Sequence, residues 1–99
     1  MNESQHETRY LRMDEIMRIG GFKTKQTVYN WIKDGIWPRQ IKWGARAVRW
    51  PSNEVYSVCR ARNAGKSTEE IRALVQQLHA ARTAGAESTA TQREEVMAA

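Results

Sequence analysis

Gln26, Asn30 and Lys33 follow one another at spacings of four and three residues, the interval that stacks side chains on one face of an α-helix. A side-chain amide carries a donor and an acceptor side by side and can pair with adenine at two points, while an ammonium can donate to guanine. Thr24 and Lys25 stand just ahead, where the free N–H groups of a helix start suit a phosphate. Tyr29 falls at the edge of the same face, placed either to pack or to make contact. A second set of cations, Lys42, Arg46 and Arg49, is interleaved with Ile41, Trp43, Val48 and Trp50. Alternation of this kind puts charge on one side of a strand pair, and each cation that neutralises a phosphate releases counterions. Gln26, Asn30 and Lys33 are thus candidate base readers. Thr24, Lys25, Tyr29, Lys42, Arg46 and Arg49 complete a candidate surface for double-stranded DNA.

Other chemistries find little in the chain. Cys59 is the single cysteine, so an intrachain disulfide is excluded, and His6 and His79 lie too far apart for a zinc finger. No glycine-rich phosphate loop and no nucleophile beside a base is present. The expectation is a protein without catalytic residues, metal or cofactor, in a reducing cytoplasm and associated with the nucleoid. No apolar run approaches the ~20 residues of a membrane span, and the polar start MNESQHET is unlike a signal peptide.

Charge is unevenly spread over the 99 residues. Sixteen Lys+Arg against eleven Asp+Glu give a net +5. Residues 1–66 carry 13 basic and 6 acidic side chains, a net +7, and residues 67–99 carry 3 and 5, a net −2. Between Lys23 and Arg49 seven cations face one acid, Asp34, and all four tryptophans lie in that stretch or one residue beyond it. A small basic domain suggests an anionic partner, nucleic acid before membrane surface.

The elements that must position these residues can be read in order. Residues 1–8 are polar, without periodicity, and expected to be disordered. Tyr10–Arg12 can form a short strand. Asp14 and Glu15 suit a helix start, Ile16, Met17 and Ile19 give it an apolar side, and Gly20–Gly21 end it. Thr24 is the N-cap expected for the next helix, residues 25–34, whose inner face is Val28, Trp31 and Ile32 and whose stop is Gly35. Pro38 biases Trp37 toward an extended backbone. The period then changes to two across residues 40–50, which predicts a β-hairpin with Ile41, Trp43, Val48 and Trp50 facing inward. Pro51 and Ser52 open a third helix with Val55, Val58 and Cys59 on its apolar stripe, closed by Gly65. Asp34 and Glu54 read as helix-end or surface charges. Ser67 and Glu70 form a capping-box spacing ahead of a fourth helix, which Gly85 ends. Residues 85–99 are expected to be disordered. The fold expected is α+β, mostly helical: a winged helix-turn-helix over residues 9–66, with a two- or three-stranded antiparallel sheet and an additional C-terminal helix over residues 67–84.

The segment GGFKTKQTVYNWIKDGIWPRQIKWGARAVRWPSNEVYSV, Gly20 to Val58, resembles the AlpA family of phage and prophage regulators, itself similar to the excisionases and to MerR-type winged helices. The resembling features are the glycine turn, Thr27-Val28-Tyr29, Trp31-Ile32, Gly35, Trp37-Pro38, Lys42, Gly44, Arg46-Ala47-Val48, Trp50 and the helix opening at Ser52–Val55. The turn Gly21–Thr24 is one residue longer than the common form, Ala45 stands where a second glycine is frequent, and the chain continues past the third helix. The resemblance implies sequence-specific DNA binding by an accessory protein of a mobile element and does not itself decide between regulator and excisionase; the leading reading is a transcriptional regulator. The alternatives are an excisionase that bends DNA and a small-terminase-type DNA recognition subunit of a phage; an anti-repressor-like interaction module is a further competitor.

The fourth helix carries Ile71, Leu74, Val75 and Leu78 on one face. That face can pack back on the domain or join a second protomer as a homodimer or oligomer, since DNA readers commonly span two half-sites. Transcription or recombination machinery is the other class of partner expected.

Overall fold

The computed structural model describes residues 7–98, with side chains described as far as residue 84. The disorder expected of residues 1–8 therefore falls mostly outside the described residues. In chain order the elements are β1 (Tyr10–Leu11), α1 (Met13–Gly20), α2 (Lys25–Lys33), β2 (Ile41–Lys42), β3 (Val48–Pro51), α3 (Ser52–Asn63) and α4 (Thr68–Ala98). This is the α+β, mostly helical, winged helix-turn-helix architecture expected, with a three-stranded antiparallel sheet of order β1-β3-β2.

The local signals act where the sequence places them. Glu15 reaches back to accept from the Arg12 N–H at 2.9 Å at the start of α1. Thr24 accepts from the Thr27 N–H at 3.2 Å at the start of α2. Ser67 and Glu70 close the reciprocal capping box of α4, at 2.8 and 3.1 Å. Between α1 and α2 the Phe22 ring folds over Gly20 into the space a side chain there would need. Helix α2 ends where Gly35 turns left-handed, φ +82°, and the Ile36 and Gly35 N–H groups donate back to Trp31 and Ile32.

The core draws on every element but β2: Leu11, Ile16, Phe22, Val28, Trp37, Trp50, Val55, Val58, Ile71 and Val75. Trp37, which periodicity leaves unassigned, is one of its largest members. Phe22 meets Trp31 and Trp37 edge to face, at 4.8 and 5.1 Å between ring centroids. On the open side of Trp31 lies the Arg62 guanidinium, 4.5 Å from the ring centroid. The Trp50 Nε1 donates to the Pro38 carbonyl at 2.8 Å, whereas the buried Trp37 Nε1 has no partner among the described residues.

The hairpin departs from expectation in register. Lys42 pairs with Val48 and Ile41 with Arg49, and the Trp43 N–H donates to the Ala47 carbonyl. The turn is Gly44–Arg46, as the sequence places it, whereas an inner face shared by Trp43 and Val48 would need four residues there. A slip of one residue reverses a strand's faces. Val48 and Trp50 keep the inward side, but Trp43 is turned outward, half exposed, and stacks on Tyr10 at 4.6 Å. Lys42 now shares a side with Val48, and Arg49 with Ile41.

Helix α4 also differs. It continues past Gly85 to Ala98. One interior glycine costs only about 1 kcal/mol, and the alanine, glutamate, glutamine and arginine that follow are good helix formers. Near its start Ile71 and Val75 are buried, and Leu74 and Leu78 pack against the same core. Burial of each such side chain is worth about 1.5–3 kcal/mol. The face offered as an oligomerisation candidate is therefore engaged within the chain.

Farther along, Arg82 makes a two-pronged ion pair with Glu54, at 2.6 and 2.8 Å. Glu54 is only 4% exposed, which corrects its reading as a surface charge: 28 residues separate the partners, and no local pattern announces the pair. Arg82 also donates to the Arg39 carbonyl, and the His79 Nε2 accepts from the Arg39 N–H at 3.0 Å.

Two outcomes follow for stability. Trp50→Ala is expected to cost about 3–5 kcal/mol and Trp43→Ala about 0.5–1.5 kcal/mol, the worth of an aromatic pair; urea denaturation of the two variants separates them. His79 accepts a hydrogen bond through its neutral form. Burial first, then the Arg82 and Arg39 cations, hold its pKa below the ordinary 6.5, with Glu54 pulling the other way. Its contribution is complete above pH 6.5 and is lost as pH falls through the lowered value. The urea midpoint should drop between pH 7.5 and pH 5, and His79→Gln, which accepts without titrating, should flatten that drop.

Candidate nucleic-acid interface

The exposed side of α2 is built from its buried side. Val28 is fully buried, and Trp31 and Ile32 pack partly against the core. The helix is thereby fixed with Lys25, Gln26, Asn30 and Lys33 exposed and Tyr29 half-buried. Gln26 Nε2 donates to Asn30 Oδ1 at 2.9 Å. That bond orders both amides while leaving the Gln26 oxygen and the Asn30 NH2 free. At the head of the helix, the N–H groups of Lys25 and Gln26 have no intrahelical acceptor, and the Thr24 hydroxyl is already engaged with Thr27.

The wing comes close to this surface. Lys25 and Tyr29 of α2, Arg46 to Arg49 of the wing, and Arg12, Met13, Asp14 and Met17 around α1 line one open cleft of about 550 Å³. Thus Lys25, Tyr29, Arg46 and Arg49 are brought together. Lys42 is not among them; it lines a neighbouring hollow of the hairpin with Gln40 and the turn residues, and Arg46 borders both. Gln26, Asn30 and Lys33 lie along the helix outside the cleft walls. Arg12 is a cation of this cleft that sequence reasoning missed, because it belongs to neither the helix nor the hairpin that carried the pattern.

Electrostatics divide the surface. Around β1 and α1 the cations meet acids: Arg9 with Glu15 at 3.1 Å, Arg12 with Asp14 at 3.4 Å and Arg18 with Asp14 at 3.9 Å. The Arg12 N–H and then the Arg9 and Arg12 charges hold the Glu15 carboxyl below its ordinary pKa, against the opposing pull of desolvation and Asp14. Among the described residues, Lys25, Lys33, Lys42, Arg46 and Arg49 take part in no ion pair. Positive charge on α2 and the wing is therefore not neutralised by acids among the described residues. Cys59 sits apart on α3, half-buried, and burial raises its thiol pKa above the ordinary value, the opposite of what an activated nucleophile needs.

The core-seated second helix, the glycine turn before it and the basic hairpin beside it define a winged helix-turn-helix protein. Its sequence matches the family model described as prophage CP4-57 regulatory protein (AlpA) over residues 9–57, and the chain belongs to the AlpA family. It is also 34% identical over 58 residues to the uncharacterized protein ORF88 of Enterobacteria phage P4, a stretch covering 59% of this chain and 65% of that protein, just under two thirds of its length. No solved structure matches the chain. The family match ends within α3, so α4 lies wholly beyond it. Among the described residues, no helix is long and apolar enough to cross a membrane.

Proposed function

We propose that this protein is a sequence-specific reader of double-stranded DNA that serves as a transcriptional regulator in a phage or mobile element. The observation that carries the reading is the division of charge: the cations around β1 and α1 are paired with the acids of α1, while among the described residues those of α2 and the wing take part in no ion pair, and three of them, Lys25, Arg46 and Arg49, line one cleft. A helix of the length of α2 fits the B-DNA major groove. In that pose Gln26, Asn30 and Lys33 meet base edges, Thr24 and Lys25 meet phosphate, and the hairpin over residues 40–50 bears on the flanking backbone or minor groove. Membership of a regulatory family supports the regulator role over other uses of the same fold.

Selection of bound duplexes from a random DNA pool tests the reading; a defined motif is the expected result, and salt-sensitive binding with no motif would sink it. On the selected motif, Gln26→Ala or Asn30→Ala should cost about 1–3 kcal/mol and relax discrimination at the contacted base pair. Because the two amides are hydrogen-bonded to each other, the double variant should lose less than the sum of the singles. Arg46→Ala should weaken motif and unrelated duplex alike and reduce the slope of log affinity against log salt by about one unit. A change of sequence preference on losing Arg46 would mean that the wing reads bases.

A further inference from the structure

Helix α4 lies outside the family-matched residues, yet it holds both ends of the connection between α2 and the wing. At one end the Arg72 Nε donates at 3.0 Å to the carbonyl of Asp34, the residue that caps the C-terminus of α2. The Arg72 stem lies against Gly35, its Cγ 3.3 Å from where a side chain would begin. Glu69 holds the guanidinium through Nη1 at 2.6 Å. At the other end of the connection, His79 and Arg82 engage the N–H and carbonyl of Arg39, two residues before β2. On one helix, residues 72 to 82 span roughly 15 Å at ~1.5 Å per residue, so a single rigid rod sets the distance between the end of α2 and the start of the wing.

We propose that Arg72 is a positioning residue for DNA recognition: it pins the C-terminal turn of α2 and so fixes the angle between that helix and the wing. The proposal rests on the DNA-reading function above. Three features favour positioning over general support. Arg72 is a third exposed, and exposed ion pairs such as its contact with Glu69 contribute about 0–1 kcal/mol to stability, so the fold does not hang on it. Its cation meets the negative end of the α2 dipole, a favourable placement within the last turn. It bonds to a backbone carbonyl of the reading element rather than to a side chain, so its loss frees that element directly. A recognition surface works only when its supporting contacts keep it within about half an ångström of the productive geometry.

The test compares the full-length protein with Arg72→Ala and Arg72→Lys. Two readouts are taken: affinity for the selected motif and for an unrelated duplex, and hydrogen exchange of the amides of Asp34, Gly35 and Ile36. In Arg72→Ala, affinity for the motif should fall about five-fold, with the unrelated duplex changing less than two-fold. Exchange at the end of α2 should rise while that of α1 stays unchanged. Arg72→Lys keeps the charge and a donor and should recover most of the discrimination. An unchanged ratio of motif to unrelated binding in Arg72→Ala, with the wild type discriminating, overturns the proposal, as does unchanged exchange at Asp34–Ile36. A wild type that does not discriminate overturns the DNA-reading function instead, and the exchange measurement then decides the pinning of α2 by itself.

Discussion

The indole of Trp50 is fully buried, and its Nε1 donates to the carbonyl of Pro38. Trp50 lies on β3, the strand between the other two, so the same residue anchors the sheet and ties it to the loop that leaves α2. A buried indole N–H left without an acceptor costs about 1–3 kcal/mol. The Pro38 carbonyl is therefore held where the ring needs it, and the chain between α2 and the wing has little freedom to take another path. Trp37, beside Pro38, fills the core under the glycine turn and meets Phe22. That seam gives the two elements with unpaired cations a common orientation, which the contacts of α4 with Asp34 and Arg39 then hold.

Much of this could be read along the chain because it is local. Thr24, Gly35, Ser67 and Glu70 act within three or four residues of themselves, and the helix ends they mark lie where they say. The face of α2 was legible for the same reason, since Val28, Trp31 and Ile32 oppose Gln26, Asn30 and Lys33 at helical spacing. What could not be read was register and distance. The inward or outward sense of Trp43 depends on whether the turn holds three residues or four, and Gly44-Ala45-Arg46-Ala47 permits either. Glu54 and Arg82 meet across 28 residues of chain, and neither carries a local mark of its partner. Arg12 joins the cleft only because β1 pairs with β3 and brings the start of α1 beside the wing.

The sequence of α4 allowed either a partner face or a core face, and within one chain its apolar residues lie on the core. Ile71 and Val75 are each 1% exposed within one chain. A helix with two such positions and only about two apolar heptads has little left to drive a coiled coil. The small basic domain gains from this. A core drawn from 9–57 alone would close on Trp37, Trp50, Val55 and the short helices, and domains of that size bury only about 60% of their unfolded surface. With α4 added, the open side of α3 is covered and the buried Glu54 carboxylate gains its counter-ion.

That counter-ion makes the C-terminal helix more than an apolar cover. A carboxylate as buried as Glu54 is costly to leave unpaired, and removing one member of such a pair typically costs about 3–5 kcal/mol. The Arg82 guanidinium divides its donors between Glu54 and the Arg39 carbonyl, so the contact that neutralises the buried acid also holds the approach to the wing. Were the pair replaced by two apolar side chains, the helix could still cover α3, but the backbone of Arg39 would lose an acceptor's partner and the wing one of its fixed points. Stability alone does not require an ion pair at this place. The geometry of the wing relative to α2 gives it a reason to be there.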